Sequence, residues 1–126
     1  MLNKIKFTYK EADKQEGLFT PNHTLFKCKI KVDGLQYTFN YQCNVAYNEP
    51  NLVDCLSSLI IDMDAYDNSD NFQDFCNNFG YDSFEDLQKA KKAYKACEKT
   101  SKALTRLFTR AEFEEINKEL EKEGLF

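Results

Sequence analysis

The 126-residue sequence predicts an α+β fold, in which a small three-stranded antiparallel sheet is followed by about four helices packed on one face. Apolar and polar residues alternate before Tyr47, which is typical of strands with one buried face. After Tyr47 the apolar residues recur every three or four positions, as in amphipathic helices. With only four glycines and two prolines, we expect one domain, with a β-sheet half over residues 1–47 and a helical half over 48–126.

The strongest strand signal is a hairpin over residues 26–41. Apolar residues at every second position flank the dipeptide Asp33-Gly34, which is typical of a two-residue type I′ turn. A loop of this length pairs Val32 with Leu35, and all the apolar side chains of both strands then fall on one face.

The four helices are predicted from apolar stripes and from end signals. The first stripe begins at Leu52, and the second, over residues 72–79, is ended by Gly80. A capping-box pattern at Ser83 opens a long helix, whose stripe begins with Phe84 and which runs to about residue 109. A similar pattern there, T-R-A-E, opens the last helix.

An acidic segment covers residues 54–88, which contain nine Asp or Glu and no Lys or Arg. We predict that residues 62–70 form a solvated loop between two helices, in which Asp and Asn cap the next helix. A calcium loop starting at Asp62 would need Gly and Glu where Asp67 and Gln73 stand, so no metal is expected. The candidate acidic surface for a partner consists of Asp62, Asp64, Asp67, Asp70, Asp74, Glu85 and Asp86.

Lysines collect on the predicted strands, the first of which covers residues 4–10. The alternation places them on the face opposite to the aromatic residues. This face could bind phosphate, but it lacks the exposed aromatic residues on which bases stack. A nucleic-acid interface and a solvated face that protects exposed edges both stay open. The candidate residues are Lys4, Lys6, Lys10, Lys27, Lys29 and Lys31.

The net charge divides unevenly along the chain. Residues 1–50 carry seven Lys and five acids, for +2, whereas residues 51–126 carry ten basic and sixteen acidic residues, for −6. The total of −4 would repel a free nucleic acid at long range. We therefore expect the isolated protein not to bind nucleic acid detectably at physiological salt.

No residue set in the sequence identifies an enzyme. His23 is the only histidine, so a Ser or Cys nucleophile would have a single possible imidazole partner. We expect no catalysis, no cofactor and no small-molecule substrate. The five cysteines lack a C-x-x-C pair and are predicted to be reduced thiols in the core. Without an apolar run of membrane-spanning length or a signal peptide, a cytoplasmic protein is expected, with no membrane partner.

A motif in the second half of the chain carries a resemblance. Residues 72–82 read FQDFCNNFGYD and residues 89–97 read KAKKAYKAC. The pattern F-x-D-F-C-x-x-F-G-Y-D, followed by K-A-x-x-x-Y-x-A-C, resembles the tails of a widespread group of small bacteriophage and mobile-element proteins. The match covers about a third of the chain, from Phe72 to about Glu115, and departs from the group at S-F-E-D-L-Q, where a short D-S is usual.

The resemblance implies origin more than chemistry. A small acidic phage-like protein without an active site resembles anti-CRISPR-type anti-defence proteins, which bind a bacterial nuclease complex stoichiometrically. Cas effectors have basic channels in which carboxylates could sit. We therefore expect a non-enzymatic protein that inhibits a CRISPR-Cas nuclease or its ribonucleoprotein complex in the host cytoplasm, with a guide RNA contact through the lysines. The alternative is a nucleic-acid-binding accessory protein that uses the Lys-rich sheet face.

Overall fold

The computed structural model describes residues 1–15, 23–43, 49–82 and 84–124. Over these residues the chain forms one three-stranded antiparallel sheet and four α-helices, which confirms the predicted α+β class. The elements are a 3-10 helix Leu2–Lys4, β1 Lys6–Gln15, β2 His23–Val32, β3 Leu35–Cys43, α1 Leu52–Asp67, α2 Phe72–Phe79, α3 Leu87–Leu107 and α4 Arg110–Lys122.

The sheet has the order β1-β2-β3, and both neighbouring pairs are antiparallel. The turn between β2 and β3 has a φ of 50° at Asp33 and 85° at Gly34, as a type I′ turn requires. Glycine accepts this conformation because it has no Cβ, and Asp is among the few other residues that tolerate it. Val32 pairs with Leu35, so the predicted turn and register are confirmed.

The chain packs as two compact units, one comprising Met1–Leu56 and Arg110–Phe126, the other Ser57–Thr109. In the first unit, the almost completely buried side chains are those of Cys28 and Ile30 in β2, Cys55 and Leu56 in α1, and Ile116 and Leu120 in α4. In the second unit, the ring of Tyr94 lies 5.1 to 5.5 Å, between centroids, from the rings of Tyr66, Phe72 and Phe75. The single-domain organisation expected from the sequence stays a prediction.

The helix ends show how local sequence sets the boundaries. The Oδ1 atom of Asn71 accepts a hydrogen bond from the backbone N–H of Asp74 at 2.9 Å and caps α2. Gly80 ends the same helix with a left-handed φ of 71°, as predicted. The last helix begins at Arg110, directly after the predicted cap position.

The start of α3 differs from its prediction. The capping role predicted for Ser83 lies outside the described residues. Instead, Oδ1 of Asp82 accepts hydrogen bonds from the backbone N–H groups of Phe84 and Glu85, at 2.8 and 2.9 Å. Asp86 returns a bond, since its Oδ2 accepts from the N–H of Asp82 at 3.0 Å. These bonds stabilise a turn over residues 84–86, and α3 itself starts only at Leu87.

The strand placement predicted for Lys4 is wrong. Lys4 lies in the 3-10 helix, and β1 starts at Lys6. The chain turns here because the N–H of Leu2 donates to Oε2 of Glu119 at 2.9 Å, and the N–H of Lys4 donates to the carbonyl oxygen of Met1 at 3.0 Å. A fully extended segment could not form the second of these bonds.

The solvated loop predicted for residues 62–70 is also wrong over most of its length. Helix α1 continues to Asp67, so Asp62 and Asp64 are helical as well. The apolar spacing of α1 continues through Met63 and Tyr66, both of which are partly buried. Packing of these side chains extends the helix past its polar residues, and only the last part of the segment connects α1 to α2.

All five cysteines are buried and free of disulfide bonds, as predicted. Burial raises the pKa of Cys55 far above its ordinary value. The pKa of Cys97 is raised to about 11, mainly by burial and to a smaller extent by the charge of Asp62. Thiols that stay protonated in this way are poor nucleophiles. In the described part of the chain, no helix is long and apolar enough to cross a membrane.

Candidate functional site: the lysine face of the sheet

The exposed face of the sheet carries a compact group of cationic side chains, which we call the lysine face. Residues that pair directly in an antiparallel ladder share a face, and Lys6 pairs with Lys31, Lys10 with Lys27 and Thr8 with Lys29. All of these side chains are exposed. The lysine face consists of Lys6, Lys10, Lys27, Lys29 and Lys31, so five of the six predicted residues are brought together and Lys4 is not among its strand positions.

The third strand completes this face with neutral polar groups. Thr38 and Asn40 of β3 pair with Lys29 and Lys27. Buried residues of β2, among them Cys28 and Ile30, occupy the alternate positions and point to the opposite face. Between the Lys10–Lys27 and Lys6–Lys31 pairs, the lysine face therefore carries neither a carboxylate nor an aromatic ring, and beyond Lys27 the register continues to Asp13, which pairs with Leu25.

A shallow depression of about 360 Å³ lies on the sheet and is lined by Thr8, Tyr9, Lys10, Lys27, Cys28, Lys29 and Thr38. Its walls offer ammonium and hydroxyl groups, which are hydrogen-bond donors suited to phosphate oxygens. Within the described residues, no carboxylate oxygen lies within 4.0 Å of an ammonium nitrogen of the lysine face. The depression can therefore bind an anion without first breaking an ion pair.

The arrangement carries an electrostatic cost. Like charges directly opposite each other on two strands are destabilising, and the pairs Lys6–Lys31 and Lys10–Lys27 are both of this kind. Threonine, which occupies the neighbouring position Thr8, would satisfy an exposed strand position without this repulsion. Lysines on the edge strand β1 can hinder association of that edge with other strands, but Lys27, Lys29 and Lys31 lie on the central strand β2, where this reason does not apply.

The predicted acidic surface does not form a comparable group, because several of its members have local structural roles. The hydroxyl of Ser101 donates to Oδ1 of Asp67 at 2.7 Å. Asp62 is half-buried, and burial raises the pKa of its carboxyl. The pKa of Asp64 is also raised, mainly by partial burial and to a smaller extent by the charge of Asp67.

Two more acids of this set support the backbone near helix starts. Oδ2 of Asp74 accepts from the N–H of Asp70 at 2.9 Å, and the carboxylate of Asp86 accepts from Asp82. The exposed carboxylates of the set are Asp64, Asp67, Asp70 and Glu85. No group of three or more His, Cys, Asp or Glu side chains in the described residues could hold a metal ion.

The sequence pattern does not predict one exposed aromatic residue. Phe84, predicted to begin the buried stripe of the long helix, is 92% exposed. It lies in the turn that Asp82 caps, before the helical spacing of α3 begins, and the exposed Glu85 follows it. Phe79, on the other side of Gly80, is also half exposed.

A second cationic surface was also missed. Helix α3 contains seven basic residues and a single acid, Glu98, although residues 51–126 as a whole are acidic. The basic residues recur at helical spacing on the exposed side. The spacing of these basic residues is visible in the sequence, but a net charge of −6 summed over residues 51–126 does not show that one helix is basic.

Comparison of the chain with protein-family models, with curated proteins and with solved structures finds no match. The resemblance to phage and mobile-element proteins therefore stays a prediction.

Proposed function

We propose that this protein acts by binding rather than by catalysis, as a phage or mobile-element anti-defence protein that inhibits a bacterial CRISPR-Cas nuclease complex. The observation that carries the proposal is the lysine face, whose lysines have no carboxylate partner among the described residues. In this proposal the face contacts the phosphate backbone of the guide RNA, or of the duplex that the guide forms with its target.

The chemistry of the face favours a backbone over bases. Lysine ammonium groups act as point charges toward phosphate, whereas recognition of single-stranded bases normally uses exposed aromatic rings. A guide-containing duplex held in a nuclease complex presents its backbone in a fixed A-form shape. A small cationic surface without aromatic rings suits such a ligand, because shape and charge are then the features to be recognised.

Binding of a phosphate backbone would also explain why the sheet keeps lysines that repel each other. Local features that weaken a fold without structural compensation are expected at functional sites. Neutralisation by a bound backbone would convert the repulsion of the pairs Lys6–Lys31 and Lys10–Lys27 into a binding contribution.

A protein contact would supply the remaining affinity. Interface hot spots are commonly aromatic side chains near polar residues that exclude water, and Phe84 with Glu85 has this character. A basic channel of the nuclease would also complement the exposed carboxylates of Asp64 and Asp70. These residues all belong to the unit Ser57–Thr109, and we propose them as a protein contact in its own right, beside that of the lysine face.

The test is inhibition of target cleavage by a panel of guide-loaded Cas effectors. We expect the wild-type protein to inhibit at least one of them, and the triple variant K27E/K29E/K31E to lose inhibition. The control K89E/K118E/K122E makes the same change in net charge at exposed positions outside the sheet and should still inhibit. Full inhibition by the folded lysine-face variant, or no inhibition of any effector by the wild type, would contradict the proposal.

A nucleic-acid-binding accessory protein is the second candidate, because the same lysine face favours it. The two candidates differ in what the isolated protein does. We expect no detectable binding of free single or double strands at physiological salt, since the net charge of −4 repels them and no aromatic residue of the face adds stacking. Micromolar binding that K27E/K29E/K31E abolishes would favour the accessory protein instead.

A further inference from the structure

The geometry points to a second polyanion-binding surface, on α3: we propose that the row Lys92, Lys95, Lys99, Lys102 and Arg106 binds the phosphate backbone of a duplex nucleic acid. The row belongs to the unit Ser57–Thr109, whereas the lysine face belongs to the other unit. The inference uses different residues from the proposed function and stands or falls independently of it.

The row is continuous along the helix. Its members are spaced by three or four residues, so that at 100° per residue they fall within an arc of about 80°. From first to last they extend over about 21 Å of helix axis, or about 5 Å per charge. All five side chains are exposed, and that of Lys102 is 73% exposed.

The opposite side of the helix fixes the direction in which the row points. Ala90, Cys97 and Leu104 lie across the helix from the row and are at most 9% exposed. Because burial of this apolar side holds the helix in place, the cations are held outward as a preformed set.

The composition of α3 is not that of an ordinary solvated helix, in which acids and bases alternate to form ion pairs along the surface. Here the one acid of the helix, Glu98, pairs with Lys102 at 2.8 Å, so α3 offers no acid to Lys92, Lys95 or Lys99. Like charges three and four residues apart repel each other and weaken a helix, so the row needs another explanation.

A duplex backbone fits the row better than a membrane or an acidic protein. The exposed positions among the cations include Ala96 and Thr105, which offer no large apolar group for insertion into a bilayer. Four of the five cations are lysines, which lack the planar guanidinium group with which arginine binds a carboxylate through two parallel hydrogen bonds. A ligand with charges repeated evenly along its length matches such a row, and duplex DNA carries roughly one charge per 1.7 Å.

The test is fluorescence anisotropy with a labelled 20-base-pair duplex, titrated at several salt concentrations. Because Lys102 is paired with Glu98, the count uses Lys92, Lys95 and Lys99: if they neutralise three phosphates, the logarithm of the binding constant falls with a slope of about −2.7, so that affinity drops roughly 40-fold between about 50 and 200 mM salt. Binding should therefore be measurable near 50 mM and be lost at physiological salt. Amide chemical shifts recorded near 50 mM should change along the exposed side of α3.

Matched variants locate the site. K95Q/K99Q removes two charges from the row, and we expect the slope to become shallower by about two units. The control K118Q/K122Q removes two charges from exposed positions of α4 and should leave the slope unchanged. An unchanged slope in K95Q/K99Q, shifts confined to the strands, or binding to phosphatidylserine vesicles without binding to the duplex would each overturn the proposal. None of these outcomes affects the inhibition test of the lysine face.

Discussion

Ser101 of α3 donates a hydrogen bond from its hydroxyl to Oδ1 of Asp67, the last residue of α1, at 2.7 Å. Ser101 is buried, so the carboxylate satisfies a hydroxyl that has little access to water. Both residues belong to the unit Ser57–Thr109. A carboxylate that the sequence assigned to partner binding therefore also helps to hold two helices of one unit.

Replacing Asp67 should lower stability, whereas replacing Asp64 should not. We expect Asp67→Ala to reduce the free energy of unfolding by about 1 kcal/mol, because the Ser101 hydroxyl loses its acceptor. Asp64→Ala removes an exposed carboxylate of the same helix and serves as the control. Urea unfolding of both variants, with Ser101→Ala and the double variant, gives the coupling between the two residues. Equal stabilities of Asp67→Ala and Asp64→Ala would contradict a structural role for the bond.

The repulsion within the lysine face makes a prediction about salt. Lys27→Glu converts the cross-strand pair with Lys10 from repulsive to attractive, so we expect the variant to be more stable than the wild type by about 0.2–1 kcal/mol at low salt. Added salt should reduce this difference by screening. Lys29→Glu, whose direct partners are Thr8 and Thr38, should gain less. Thermal unfolding across a salt series tests this, and a Lys27→Glu variant that is less stable at every salt concentration would refute it.

The sheet could be predicted in detail because its signals are local. The Asp33-Gly34 turn fixes which residues pair, and the period of two then fixes which side chains share a face. The lysine face follows from these two facts, apart from Lys4. Lys4 lies outside the strand because the N–H of the nearby Leu2 donates to Glu119, more than a hundred residues away. A local sequence pattern does not contain such a long-range bond.

The helical half was harder to predict because polar residues do not by themselves end a helix. The acids after Ile61 suggested a loop, yet the partly buried Met63 and Tyr66 extend α1 to Asp67. The spacing of Phe84 predicts a core position, whereas the bonds to Asp82 place it in a turn before α3. For α1 the apolar spacing outweighs the polar residues, whereas for α3 the hydrogen bonds to Asp82 outweigh the apolar spacing.

The partial burial of Asp62 leads to a pH prediction. Burial raises the pKa of its carboxyl in the folded protein above the ordinary value of 3.8, so the charged form is disfavoured there. The folded state then holds its proton more tightly than the unfolded state, and the resulting cost appears as pH rises through the two pKa values and is complete above the folded one.

Asp62→Asn should therefore raise the melting temperature at pH 7. The gain should disappear below about pH 3.8, where the wild-type carboxyl is neutral in both states. Asp70→Asn, a change of the same kind at an exposed position, is the control and should show little gain. Melting curves between pH 3 and pH 8 test the prediction, and a gain that persists unchanged at the acidic end would show that charge is not its cause.

The exposure of Phe84 separates its role in binding from any role in the fold. Its side chain is 92% exposed, so Phe84→Ala removes almost no buried surface and should change the free energy of unfolding by less than about 0.5 kcal/mol. If Phe84 is the aromatic contact of the proposed interface, the same change should weaken inhibition of the nuclease complex at least tenfold, because aromatic hot spots commonly contribute more than about 1.4 kcal/mol.

Phe75→Ala is the structural counterpart: that ring is 2% exposed, and its loss should destabilise the protein by about 3–5 kcal/mol. Chemical unfolding and the cleavage assay, applied to both variants, distinguish the two roles. Wild-type inhibition by a stable Phe84→Ala protein would show that this residue does not contact the nuclease complex.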